Sequence, residues 1–137
     1  MKRLILSLAL FCASPAFADD IGANDEFKSI ITHQLQAMAQ DDAATAYSDA
    51  APNVQQLFPT PDVFMNMVRN GYPPVYRNKS FKFEASGTDP SGRPYQRVGL
   101  LGADGVRYEA IYFMEKQADG SWKISGCVVA KVDGVDA

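Results

Sequence analysis

The change of period at Pro73-Pro74 constrains this chain more than any other feature, because apolar residues recur at helical spacing before it and alternate after it. The preceding stretch, TPDVFMNMVRNGYPPVY over residues 60–76, is itself punctuated. Thr60 is suited to cap a helix, Pro61 to occupy its first turn and Asp62 to face its positive end. Val63, Phe64, Met67 and Val68 share one arc of the wheel, so this helix has a face to bury. Asn70-Gly71 is expected to end it, with Gly71 left-handed, Tyr72 folding back onto Met67, and the two prolines sending the chain off extended.

Upstream, a helix is expected to start near Asn24 or Asp25 and run to about Gln40, its stripe made by Phe27, Ile30, Ile31, Leu35 and Met38, with Gln34 in the same arc. Asp41-Asp42 precede a second helix over residues 43–51, and Val54, Leu57 and Phe58 form one further turn before Pro59. Downstream, Phe81, Phe83 and Ala85 share one strand face, and residues 87–94 read as a long turn. Asp104-Gly105 and Asp119-Gly120 read as two-residue hairpins. Counting outward from them puts Gln96, Val98, Leu100, Glu109, Ile111, Phe113, Trp122, Ile124 and Val128 on the core face. Tyr95, Arg97, Leu101, Tyr108, Tyr112, Met114, Cys127, Val129 and Lys131 then fall on the outer face. Helices followed by a meander in one short chain predict an α+β domain in which three N-terminal helices cover one face of a curved antiparallel sheet of about four strands.

The address is written at the start. Residues 1–18, MKRLILSLALFCASPAFA, combine Lys2-Arg3, an apolar run and a small-x-small end, and read as a secretory signal cut after Ala18. A lipid anchor on Cys12 is the less favoured alternative, since bulky Phe11 precedes it. Removing 18 of 137 residues leaves 119, one domain over residues 19–137. Losing Lys2 and Arg3 leaves 11 basic against 16 acidic side chains, a net −5, the wrong sign for nucleic acid or an anionic membrane. A soluble periplasmic or secreted protein, with no membrane contact after signal removal, is expected. Cys12 leaves with the signal, so Cys127 has no partner in the same chain and a disulfide framework is excluded.

The order of motifs resembles a bacterial secreted family described as domain of unknown function 4864, within the NTF2-like superfamily. The matching residues are Gln34-Leu35, Asp41-Asp42 with Ala46-Tyr47, Ala51-Pro52 with Leu57-Phe58, the segment MVRNGYP over residues 67–73, and GSWKISGC over residues 120–127. The resemblance implies a cone-shaped fold with a pocket between helices and sheet. It carries no reaction, since the superfamily holds isomerases, dehydratases and non-catalytic binding or dimerisation modules.

For a pocket, Gln34, Tyr47, Phe58, Phe64, Tyr72, Gln96, Phe113 and Trp122, with Tyr76, supply apolar walls and a few polar groups, which is also what a filled core would use. No residue is assigned a catalytic role. Glu109 is the candidate weighed: on the core face, desolvation would raise its pKa and suit it to acid/base work. A paired or solvated position near the open end of the sheet is preferred. His33, the only histidine, lies across the wheel from Ile31 and Leu35 and is expected to face water. Neither a metal nor a cofactor is expected, because no ligand cluster accompanies it. Cys127 reads as a small strand residue, and Arg69 as a cation capping its helix end. The favoured function is a non-catalytic binding or accessory module for a small apolar ligand. The alternatives are a cofactor-free isomerase- or dehydratase-like enzyme using Glu109 with Tyr47 or Tyr72, and a structural homodimer through Tyr108, Tyr112 and Val129.

Overall fold

In a computed structural model, residues 16–132 are described, with side chains from residue 24 onward. Five helices precede four strands: α1 (Ala16–Ala39), α2 (Ala43–Ser48), α3 (Pro52–Leu57), α4 (Pro61–Gly71) and α5 (Pro73–Tyr76), then β1 (Asn78–Thr88), β2 (Pro94–Gly102), β3 (Arg107–Lys116) and β4 (Trp122–Lys131). The strands form one antiparallel meander in the order β1-β2-β3-β4. The α+β class and the strand number agree with the sequence; three helices become five. Residues 1–15, which hold most of the expected signal, lie outside the described residues, and α1 runs through Ala18.

The α1 stripe is as read: Phe27, Ile31, Leu35 and Met38 are buried, and Ile31 is fully so. The helix crosses the inner face of the sheet, touching β2 and β4. It ends because Asp41 turns left-handed, at φ 57°. That turn lets Asp41 and Asp42 donate their N–H groups to the carbonyls of Met38 (3.0 Å) and Ala37 (2.8 Å). Asp42 Oδ1 then accepts from Thr45 N (3.2 Å), so the same corner caps α2.

Thr60 caps α4 as expected, accepting from Val63 N at 3.1 Å. The buried arc is rotated, however. Met65 joins Phe64 and Val68 inside, while Val63 is 44% exposed, because α4 packs chiefly against α2 and α5. Gly71 remains helical and Tyr72 is the cap, donating its N–H to Val68 O at 2.9 Å. Pro73-Pro74 do not extend the chain. They open α5, a use open to proline because the first helical N–H groups have no partner to lose.

All three hairpins share one loop. Gly92, Gly105 and Gly120 each have positive φ (92°, 81° and 89°) and close three-residue loops flanked by Asp89/Arg93, Gly102/Val106 and Gln117/Ser121 pairs. This is the turn followed by a left-handed glycine that builds one extra residue into a hairpin. The extra residue exchanges faces: Leu100 pairs with Tyr108 and Val98 with Ala110. Ala110, Tyr112 and Met114 therefore lie in the core, and Glu109, Ile111 and Phe113 lie outside, opposite to the expected register. In β4 the loop places Ile124 opposite Met114, and a bulge then pairs Phe113 with Gly126. Past the bulge Cys127 and Val129 turn inward and Val128 is 54% exposed, again reversing the expected faces. Gly87 to Pro94 is not a long turn, because β1 continues to Thr88; a bulge between Phe83 and Ser86 leaves Ala85 exposed.

Each hairpin loop uses an aspartate. Asp89 Oδ1 accepts from Ser91 N (3.0 Å) and Arg93 N (2.9 Å), and the Arg93 amide above all, with the Ser91 hydroxyl, holds its carboxyl down at about 2. Asp104 and Asp119 are lowered too, chiefly by the Val106 amide and by Ser121. A depressed carboxyl stabilises the fold above its unfolded value, and that contribution disappears as pH falls through the folded value. Stability should therefore fall between about pH 4 and pH 2. Asp89→Asn, which keeps the amide acceptor, should flatten that acid limb, as read from urea midpoints at several pH values.

Candidate functional site

The helices do not fill the space above the sheet. A cavity of about 310 Å³ lies between α1, α3, α4 and α5 and the inner face of β3 and β4. Gln34 and Met38 of α1 and Phe64, Met67 and Val68 of α4 form its walls. Tyr112 and Ile124 with Ser125, Gly126 and Cys127 supply the sheet side, and Leu57 of α3 lies at the rim, 72% exposed. Among the described residues, none that lines it carries a charge.

The wall is anchored at the junction of α2 and α3. Ala51 N donates to Ile124 O (2.8 Å) and Ile124 N to Asp49 O (2.9 Å), joining that junction to the edge of β4. Asn53 Nδ2 donates to Ser125 O (3.1 Å), and Tyr47 Oη donates to Phe58 O (2.7 Å), holding α3 over the opening. Gln34 Nε2 is committed to Ala46 O (3.1 Å).

Two polar groups on the sheet side differ from these. Tyr112 is 1% exposed, and its hydroxyl is sealed inside the protein with the Cys127 thiol as its polar neighbour. Its cross-strand neighbour is Cys127. Burial is the main cause that holds the Tyr112 phenol well above its ordinary range, and burial pushes the Cys127 thiol up to about 12. Both therefore stay protonated and neutral, and Cys127 is not an activated nucleophile.

Of the eight pocket residues named from the sequence, Gln34, Phe58, Phe64 and Tyr72 line the cavity. The other four do not. Tyr47 stands behind the wall, edge-on to Phe64 at 5.6 Å between ring centroids. Gln96 is fully buried, but its Nε2 donates to Glu84 O and Arg97 O, both at 2.9 Å, so it serves the β1 bulge. Phe113 is on the outer face beneath Arg93, whose guanidinium lies 4.0 Å from the ring centroid. Trp122 packs edge-on to Phe27 at 4.9 Å. Tyr76 lines a separate groove with Arg69 and Arg77.

The remaining candidates resolve as pairs. Glu109 is on the outer wall, its Oε1 accepting from Arg97 Nη1 at 2.8 Å, so it does not reach the cavity. Beside it, Glu84 is raised, first by burial and then by Glu109. His33 is exposed as expected, yet its Nδ1 lies 2.6 Å from Asp49 Oδ2. Arg69 does not reach the last carbonyls of α4. It bonds Asn66 and reaches toward Tyr76 instead. Tyr112, nominated for an outer dimer face, is in the core, and Tyr108 and Val129 pack against that core. Among the residues that the sequence reading omitted, Met38, Val68 and Ile124 carried a signal, since all three were placed on buried faces. Tyr112 and Cys127 did not, because the miscounted turn and the bulge hid their direction.

Fold and site together define an α+β domain with a half-open, largely apolar pocket of small-molecule size between its helices and its antiparallel sheet. More narrowly, residues 21–137 match the model of the family described as Domain of unknown function (DUF4864), and the chain belongs to that family. Comparison with curated proteins finds no match. Among solved structures, ActVI-ORFA from Streptomyces coelicolor is similar, with a TM-score of 0.52 and 17% identity over 80% of this chain and 97% of that one. At that identity the likeness is one of fold.

Proposed function

We propose that this protein is an NTF2-like, exported binding module that holds a small apolar molecule without transforming it. The cavity is the observation that carries the reading. Its volume of about 310 Å³ falls at the low end of the roughly 300–1,000 Å³ typical of ligand sites. Its walls are apolar, and a large exposed side chain, Leu57, marks the way in. Binding without chemistry is favoured because the one carboxylate weighed as a proton carrier, Glu109, is bonded to Arg97 on the far side of the sheet. The two titratable groups at the sheet side, Tyr112 and Cys127, hold their protons. Export rests on the basic, apolar and small-x-small order of residues 1–18.

Native mass spectrometry of the protein recovered from its own periplasm tests both parts. The expected species starts at Asp19 and carries a small-molecule adduct. Met67→Trp, which places an indole in the cavity, should release that adduct while the chain stays folded. A bare chain in both samples, or an adduct that survives Met67→Trp, would overturn the binding reading. An intact N-terminus at Met1 would overturn export.

A further inference from the structure

The mouth of the cavity is bounded by a short segment, residues 52–59, that is fixed at its ends and little buried between them. Ala51 before it is fully buried, its N–H bonded to Ile124 O at 2.8 Å, and Thr60 after it caps α4. Between those points α3 buries no residue, and β4 is the element it chiefly meets. Its polar ties are Asn53 Nδ2 to Ser125 O (3.1 Å), Gln55 Nε2 to Tyr47 O (3.0 Å) and Tyr47 Oη to Phe58 O (2.7 Å). All lie at exposed or half-buried positions, where water replaces a protein partner at small cost. Ala51 and Phe58, on either side of α3, have non-helical backbones, so the helix can turn as a unit about them.

Resting on the binding reading above, we propose that this segment is a strap that closes on the guest, with Leu57 as the side chain that covers it. The segment is two-sided: Val54, Leu57 and Phe58 line the cavity, whereas Pro52 and Gln56 are exposed and do not line it. Leu57 is 72% exposed all the same, the highest value among the large apolar side chains described. A lone exposed leucine is ordinary on a protein surface. What distinguishes this one is its place at the rim of a half-open apolar pocket, on a helix that gives up no core contact by moving. An apolar guest offers Leu57 a surface against which to leave water, and that burial is gained only in the complex.

Stopped-flow fluorescence with N-phenylnaphthylamine, an uncharged aromatic probe that brightens in apolar surroundings, provides the test. Met67→Trp, which fills the cavity, should abolish binding and so place the probe there. Leu57→Ala should keep the urea midpoint of the parent, because an exposed side chain contributes little to the fold. It should nevertheless release the probe roughly tenfold faster, the worth of the apolar area that leucine buries beyond alanine. Entry should change by less than about twofold, as expected of a contact made after the guest has arrived. Leu57→Met, which keeps the length and the apolar character, should release the probe at close to the parental rate. In the unaltered protein the amides of Gln55 and Phe58, bonded to Ala51 O and Val54 O, should exchange with solvent more slowly once the probe is bound. Unchanged release from Leu57→Ala, equal acceleration of entry and release, or strap amides indifferent to the probe would overturn the strap and leave the cavity reading standing. A probe that fails to bind, or that binds Met67→Trp as tightly as the parent, would remove both.

Discussion

Ile31→Ala should lower the stability of the fold by about 3 kcal/mol, within the range of roughly 2–5 kcal/mol for removing a buried isoleucine side chain to the β-carbon. Ile31 is 0% exposed, at the centre of the α1 stripe, and belongs to the cluster that joins α1 to Val98, Tyr112 and Ile124 of the sheet. Part of the loss is transfer free energy, and part is the void left behind, since α1 is held at its far end by the Asp41 corner and cannot collapse freely. Against a total of about 5–15 kcal/mol for a small domain, such a loss lowers the melting temperature by more than 10 °C, roughly. A thermal melt with less than a third of that shift would show that α1 is not the element on which the sheet closes.

Gln96→Leu should cost about 2 kcal/mol, although the substitution places a side chain of similar size and greater hydrophobicity in a fully buried position. The β1 bulge leaves Glu84 O outside the regular ladder, and the Gln96 amide donates to it and to Arg97 O. Leucine removes both donors and leaves two carbonyls competing for solvent. The loss of the unpartnered Gln96 Oε1 offsets part of this. Gln96→Glu removes the same amide donors, so it should be no better tolerated than leucine. Urea denaturation of both variants measures the effect. Should leucine stabilise the protein, the amide is not what holds the bulge.

The helical half was largely legible because a single stripe at helical spacing leaves few alternatives. Phe27, Ile31, Leu35 and Met38 are all inside, and Thr60 caps its helix as expected. The sheet was legible in its class, its strand number and the faces of β2 and the start of β4, but not in the faces of β3 and the rest of β4. Asp-Gly fits both a two-residue loop and a three-residue loop ending in left-handed glycine, and the two differ by one residue of register. That difference moved Glu109 out of the supposed core and Tyr112 into it. Bulges in β1 and β4 arise from contacts between distant residues, such as Gln96 with Glu84 and Ser125 with Phe113, and local pattern does not announce them. Four of the eight residues named for a pocket line the cavity, and all four, Gln34, Phe58, Phe64 and Tyr72, come from the helical half or its end, where positions follow from the stripe. Of the strand nominees, Phe113 failed with the register, whereas Gln96 and Trp122 kept their expected side and miss the cavity because one serves the β1 bulge and the other packs on Phe27.

The bridge between Ala50 and Ile124 has a consequence for how copies of this chain meet one another. An open sheet has two margins at which a foreign strand could add itself and start a fibre. Here the first half of β4 is already sealed by the α2–α3 corner, and the opposite margin, β1, presents exposed Lys79 and Lys82, whose like charges oppose a second copy laid alongside. Concentrated protein should resist polymerisation by strand addition, and a chain whose Ala50 corner is pried away should be the one that forms it.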